Sequence, residues 1–179
     1  MKIVIINVTG GSGKDTFVSL CQKIYNRPIG NYMIGNCSTI DVVKSIAKSY
    51  GWEGTKTEKD RKFLSDLKDL LEEYNQLPTK SVERVIDIYS KNNRFSLRNS
   101  KDFILFIHCR EPKNIDYFVK KYGAITLLVH NPRVKDITSN HADRDVYDYE
   151  YDFTIENNGT LEDLEIQAKN FIEEIKSSY

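Results

Sequence analysis

The sequence predicts an α/β protein in three layers, a five-stranded, mostly parallel sheet flanked by helices, and three observations carry that prediction. Strand-like and helix-like patterns alternate along the chain, the order that crossover connections and parallel pairing produce. A β-branched run at 2–8 leads through a glycine cluster directly into a helical pattern. A second run, FILFI at 103–107, is apolar without a break, as expected of a strand buried on both faces. With 179 residues the chain has room for one domain with a sizeable core, expected to span 1–179.

Taken in order, the first strand covers 2–8, and a helix over 14–25 stops ahead of Pro28. Residues 32–34 suggest a short second strand. Ser38 and Asp41 then resemble a weak helix start before Ile40, Val43, Ile46, Ala47 and Tyr50 at helical spacing, with Gly51 as the stop. Thr57 opens a long amphipathic helix in which Phe63, Leu64, Leu67, Leu70, Leu71 and Tyr74 share a face. Pro78 is expected to separate it from a third helical stretch at 81–89.

The strand at 102–108 runs to Arg110; Pro112 begins the next helix, and Gly123 ends it. A fourth strand is expected at 124–129. Residues 130–150 are polar, charged and aperiodic, longer than an ordinary connection, which reads as a lid or binding loop. A strand resumes at 153–155, and Thr160 with Asp163 has capping-box spacing for a last helix through Leu164, Ala168, Phe171, Ile172 and Ile175. Five strands and about six helices result.

Composition excludes several function classes. Basic and acidic side chains balance at 26 each, so no global field recruits nucleic acid or an anionic membrane, and any anion site is local. Cys21, Cys37 and Cys109 are odd in number and widely spaced, unlike a disulfide framework or a zinc knuckle, and are expected to be buried reduced thiols. No apolar run reaches the roughly 18 residues of a membrane span, and 3–6 is too short for a signal peptide. The expected setting is cytoplasmic, with neither nucleic acid nor membrane as partner.

Chemistry concentrates between the first strand and the first helix, in Thr9-Gly10-Gly11-Ser12-Gly13-Lys14-Asp15-Thr16. Strand, glycine-rich loop with lysine, then helix is the setting of a Walker A phosphate loop. Glycines let backbone N–H groups turn inward around a β-phosphate, the helix N-terminus adds partial positive charge, and the lysine ammonium reaches the β- and γ-phosphates. All eight residues form the expected ATP-binding set. Asp15 stands where Ser or Thr is usual, and is a hard oxygen ligand for Mg²⁺ with the Thr16 hydroxyl beside it. The first consensus glycine is replaced by Val8, a β-branched residue that resists positive φ, so a reshaped loop is expected. That departure keeps a rival reading open, a nucleotide-binding regulator without catalysis.

The string Ser12-Gly13-Lys14-Asp15-Thr16-Phe17 resembles the S-G-K-D form of the P-loop in phage-type deoxynucleoside monophosphate kinases and animal phosphomevalonate kinases, both in the nucleoside monophosphate kinase group. Layout is similar along the rest of the chain. The stretches STID at 38–41, KTEKDRKFLSDLK at 56–68 and HCREP at 108–112 look like those of uncharacterised bacterial and phage kinases of that group. The resemblance implies a P-loop NTPase fold with a helical acceptor-binding insertion at about 36–95 and a lid at about 130–150. It also implies ATP- and Mg²⁺-dependent phosphoryl transfer to a small phosphorylated acceptor, most plausibly a nucleoside or deoxynucleoside monophosphate. A kinase for a non-nucleotide phosphorylated metabolite is the alternative.

Phosphoryl transfer needs cations that position and neutralise the moving group. Lys14, Arg110 and Arg144 are the candidate catalytic cations. Arg110 stands at the carboxyl end of the expected central strand, where open parallel sheets bind ligands. Arg144, in the lid stretch, reads either as a closing cation or as a surface charge, and Arg133 likewise. Lys56 and Arg61, at the start of the acceptor helix, are expected to grip an acceptor phosphate or to form a solvated charged face. Asp41 and Lys44 border the same cleft, which makes Asp41, Lys56, Arg61, Arg110 and Arg133 the expected acceptor set. His108 reads as a core histidine, Tyr147, Tyr149 and Tyr151 as the packing entry to the last strand, and Asp15 and Glu111 as the carboxylates nearest a metal.

Overall fold

The computed structural model describes residues 1–8, 10–26, 32–95, 102–134 and 145–178. Five strands form one sheet: β1 (Lys2–Asn7), β2 (Tyr32–Ser38), β3 (Asp102–His108), β4 (Ile125–His130) and β5 (Phe153–Glu156), in the order β2-β3-β1-β4-β5 with every pairing parallel. Around it lie α1 (Lys14–Tyr25), α2 (Asp41–Ser49), α3 (Glu58–Asn75), α4 (Leu77–Phe95), α5 (Pro112–Tyr122) and α6 (Leu161–Ser178), with a 3₁₀ turn at Asp145–Asp148. The predicted three-layer α/β fold is the one observed.

Alternation within the strands divides the core in two. Val4 and Ile6 of β1 join Ile104 and Phe106 of β3 under α1 and α6, against Phe17, Phe171 and Ile172. Ile3 and Ile5 join Leu105 and Ile107 on the other face, under α4 and α5, against Val82, Ile86, Ile115 and Phe118. Both faces are covered, which is why β1 and β3 read as unbroken apolar runs. Register pairs Ser38 and Ile6 with His108, Asn7 with Leu128, and His130 with Glu156, so the carboxyl ends of all five strands share one edge.

Two boundaries differ from expectation. β2 continues past residue 34 to Ser38 because Gly35 lets the Phe103 ring lie against the strand; a Cβ there would sit 2.5 Å from Phe103 Cζ. The expected insertion at 36–95 therefore starts inside a strand, and its helices begin at Asp41. Pro78 does not separate two helices. It lies in the first turn of α4, where its missing N–H is not needed, and the chain reverses at Gln76, φ 58. The capping boxes Thr57/Asp60 and Thr160/Asp163 both form, with reciprocal bonds of 3.0 and 3.2 Å in the first and 2.8 and 3.2 Å in the second.

Cys21 and Cys109 are buried and Cys37 half-buried, and burial pushes all three thiols up, Cys21 and Cys37 to about 12. Among the described residues no helix is long and apolar enough to cross a membrane.

Candidate functional site

The glycine loop leaves β1 through Asn7, a polar residue that is 1% exposed. Asn7 Oδ1 accepts from the Val8 N–H at 2.8 Å, while Nδ2 donates to Tyr151 Oη at 2.7 Å and to the Arg110 carbonyl at 3.3 Å. Tyr151 Oη in turn donates a hydrogen bond to the Val146 carbonyl at 2.8 Å. One amide thus ties the ends of β1 and β3 to the segment before β5.

Val8 is buried in the core under α1 and α6 and has no positive φ. The loop takes its left-handed torsions at Gly11, φ 92, and Gly13, φ 97, so Val8 is not the strained position that the consensus suggested. Gly13 is the N-cap of α1 and has no side chain to occupy the first-turn amides, which leaves them for an anion. Asn157, just after β5, donates from Nδ2 to the Ser12 carbonyl at 2.9 Å and lies where a Gly13 Cβ would project. Gly10 occupies the turn leading into the loop. Thr9 lies outside the described residues.

The helix start gathers charge. Lys14, with 20% of its side chain exposed, places Nζ 3.2 Å from Asp15 Oδ1. Burial lowers the Lys14 pKa; Asp15 opposes that, while Arg110 and Lys44 reinforce it. For Asp15 burial works upward, but Lys14, His108 and Lys44 together hold the carboxyl below its usual range, so it is ionised at neutral pH. Lys14, Lys44 and Arg110 therefore share one electrostatic neighbourhood at the carboxyl ends of β1 and β3, with Asp15 as its near carboxylate. The side chains of Asp15 and Thr16 are exposed on the first turn of α1. Among the described residues no group of three or more His, Cys, Asp or Glu side chains converges as a metal site.

His108 ends β3 beside this group. Its side chain is 10% exposed, Nδ1 lies 3.7 Å from Asp15 Oδ1, and Nε2 has no hydrogen-bond partner among the described residues. Burial, then Lys14, Arg110 and Lys44, lower its pKa to about 4, so the imidazole is neutral at pH 7. Since 4 lies below the ordinary 6.5, the unfolded chain takes up the proton first on acidification. Stability is expected to fall by up to about 3 kcal/mol from this group as pH drops from 6.5 towards 4. Urea unfolding at pH 7 and pH 4.5 checks this; His108→Gln should flatten that part of the slope, and an unchanged slope contradicts it.

The remaining expected residues divide. Asp41 is exposed and accepts the Ser38 N–H on Oδ2 at 2.7 Å, holding the turn between β2 and α2. Lys56 and Arg61 are exposed, and Arg61 Nε donates to the Lys56 carbonyl at 3.3 Å. Arg133 is exposed, with its guanidinium on the Asn158 carbonyl, and thereby joins the segment after β4 to the turn after β5. Arg144, with His141 and Asp143, lies outside the described residues, as does the rest of 135–144. Tyr149 and Tyr151 pack as expected, ring centroids 5.2 Å apart, with Tyr149 bonded to Asp116 at 2.9 Å.

Glu111 is paired with Lys68 of α3. Its carboxylate is thus engaged by the Lys68 ammonium. The inward cation of α3 is this Lys68, and the sequence carried a signal for it, since Lys68 follows Leu64 by four positions and precedes Leu71 by three, on the apolar stripe. Asn7 and Asn157, the two amides that brace the loop, carried no comparable signal.

No protein-family model and no curated relative matches the chain. Among solved structures, an unliganded sugar kinase from a Janibacter species superposes with a TM-score of 0.52 over 97% of this chain and 95% of that chain, at 13% identity. A shikimate kinase from Aquifex aeolicus covers 100% of both chains at 14% identity with a TM-score of 0.48, too distant to add to the comparison. The first likeness supports the fold and nothing finer.

Proposed function

We propose that this chain catalyses ATP-dependent phosphoryl transfer to a small phosphorylated acceptor, and that the acceptor is a nucleoside or deoxynucleoside monophosphate. The observation that carries the reading is Lys14 at the start of α1, its side chain 20% exposed and its Nζ 3.2 Å from Asp15 Oδ1, beside a loop whose glycines adopt φ 92 and φ 97. A partly buried ammonium next to the glycine-rich N-terminus of a helix suits a phosphate group.

In this reading the loop residues Gly10 to Gly13 and the first turn of α1 bind the triphosphate, and Lys14 neutralises its β- and γ-phosphates. Asp15 and Thr16 fit Mg²⁺, being exposed hard-oxygen donors, one of them ionised, with the other ligands left to phosphate and water. Bound there, the ion would add charge neutralisation between the phosphates. Arg110 and Lys44 orient the transferred group and the acceptor phosphate, and α2 to α4 form the acceptor side. The lid expected from the sequence at about 130–150 would exclude water, and Arg133 is its candidate cation among the described residues. The regulator reading loses its motive, because the buried Val8 supports the loop without strain.

The test is coupled ADP production by the wild-type chain with AMP, CMP, GMP, UMP and dTMP, then shikimate, gluconate, hexoses and phosphomevalonate. Turnover with one of the first five is the expected result. Turnover only with a later member would keep phosphotransfer and replace the acceptor; ATP binding without any turnover would sink the enzyme reading.

A further inference from the structure

One buried pair of charges lies apart from the phosphate loop: Lys68 of α3, 7% exposed, and Glu111 at the start of α5. Burying two charges costs several kcal/mol of desolvation per ion, and apolar replacements are often neutral or stabilising, so stability is a weak reason for such a pair. Its connections say more. Glu111 is the N-cap of α5, where a carboxylate ordinarily accepts from first-turn amides, yet its side chain makes no capping bond. Only its carbonyl serves the helix, accepting from the N–H groups of Asn114 and Ile115, both at 3.0 Å.

The carboxylate is turned across to α3 instead. Arg110 is the residue just before it, so the backbone of Arg110 is held on one side by this pair and on the other by Asn7, which donates to its carbonyl at 3.3 Å. One helical turn beyond Lys68, Glu72 accepts from Thr79 Oγ1 at 2.6 Å and from the Thr79 N–H at 3.2 Å, which fastens α3 to α4. Lys68, Glu72, Thr79 and Glu111 thus brace two helices of the acceptor side against the turn that carries Arg110. Burial would raise the Glu111 pKa, but Lys68 above all, with a smaller contribution from Arg110, holds it below its usual value, so the carboxylate is ionised at neutral pH.

We propose that the Lys68–Glu111 pair is a positioning device that sets Arg110 at a fixed distance from the acceptor helix α3; it rests on the phosphotransfer reading above. Transfer between two bound anions is sensitive to misplacement of the cations between them by about an ångström. A strut from α3 to the residue after Arg110 controls that distance directly. Apolar side chains would fill the same space without specifying the same register.

The experiment compares wild type, Lys68→Met and Lys68→Met/Glu111→Leu by ADP formation with the acceptor panel above, by urea unfolding and by ATP calorimetry. Lys68→Met is expected to lose both stability and turnover, because it strands a buried carboxylate. The double variant is expected to recover stability and ATP affinity while kcat/KM for the acceptor stays roughly 10- to 100-fold down. Wild-type kcat/KM in the double variant overturns the proposal and leaves phosphotransfer standing. If that variant does not fold, Glu111→Gln replaces it, keeping shape without charge, and wild-type kcat/KM there overturns the proposal equally. A wild-type chain that binds ATP but turns over no acceptor overturns the phosphotransfer reading and this proposal with it.

Discussion

Lys14→Ala is expected to lower kcat/KM by roughly 10²- to 10³-fold, the cost of removing one preorganised charge from a site of this kind. The Lys14 side chain is only 20% exposed, its ammonium is ion-paired to Asp15 at 3.2 Å, and Arg110 and Lys44 add like charge to its surroundings. Such a cation is held ready at a cost: burial and two like charges disfavour it, and a triphosphate would relieve both. Removing it therefore takes away an interaction that strengthens as charge develops on the transferred group, and leaves Asp15 without its main counter-ion. ATP affinity should fall as well, measured by calorimetry on the same variant. Unchanged affinity would contradict the placement of the phosphates at this loop. Asp15→Asn separates the two roles of the helix start, because it keeps the side-chain shape and removes the carboxylate that favours the ammonium.

How far the sequence reached depended on whether the cause of each feature was local. Strands buried on both faces leave unbroken apolar runs, and capping boxes leave a residue pair at fixed spacing, so β1, β3, α3 and α6 were legible directly. The first half of β2 is legible and its second half, Gly35-Asn36-Cys37-Ser38, is not, because that half carries little β-propensity of its own and is held by pairing with Leu105 to His108 of β3. Pro78 is the opposite case: proline breaks a helix interior but is harmless in a first turn, and the start of α4 at Leu77 decides which applies. In the site, Lys14, Asp15 and Arg110 followed from a contiguous motif and a strand end. Asn7, Asn157 and Lys68 are long-range braces whose partners lie at Tyr151, Ser12 and Glu111, and only the fold brings those positions together. Val8 shows the same limit, since what looked like a lost glycine is a buried core residue next to glycines that supply the torsions.

The loop's geometry depends on the core beneath it, and Phe17→Ala should expose that dependence. Phe17 is fully buried, with its ring 6.4 Å from Phe106 and 5.9 Å from Phe171, both in edge contacts. Its N–H donates to the Gly13 carbonyl at 2.9 Å, so the residue that fills the core also closes the first turn after the glycine loop. Truncation is expected to cost about 3–5 kcal/mol, a large share of the roughly 5–15 kcal/mol that holds a domain of this size together. Phe118→Ala is the matched comparison, because Phe118 is equally buried but lies on α5, in the opposite core. Urea unfolding should show similar losses for the two variants. ATP affinity, measured where both remain folded, should fall for Phe17→Ala and hold for Phe118→Ala, because only the first removes packing under α1. Equal losses of affinity would mean that the loop responds to global stability, and that the packing of Phe17 has no special hold on the turn at Gly13.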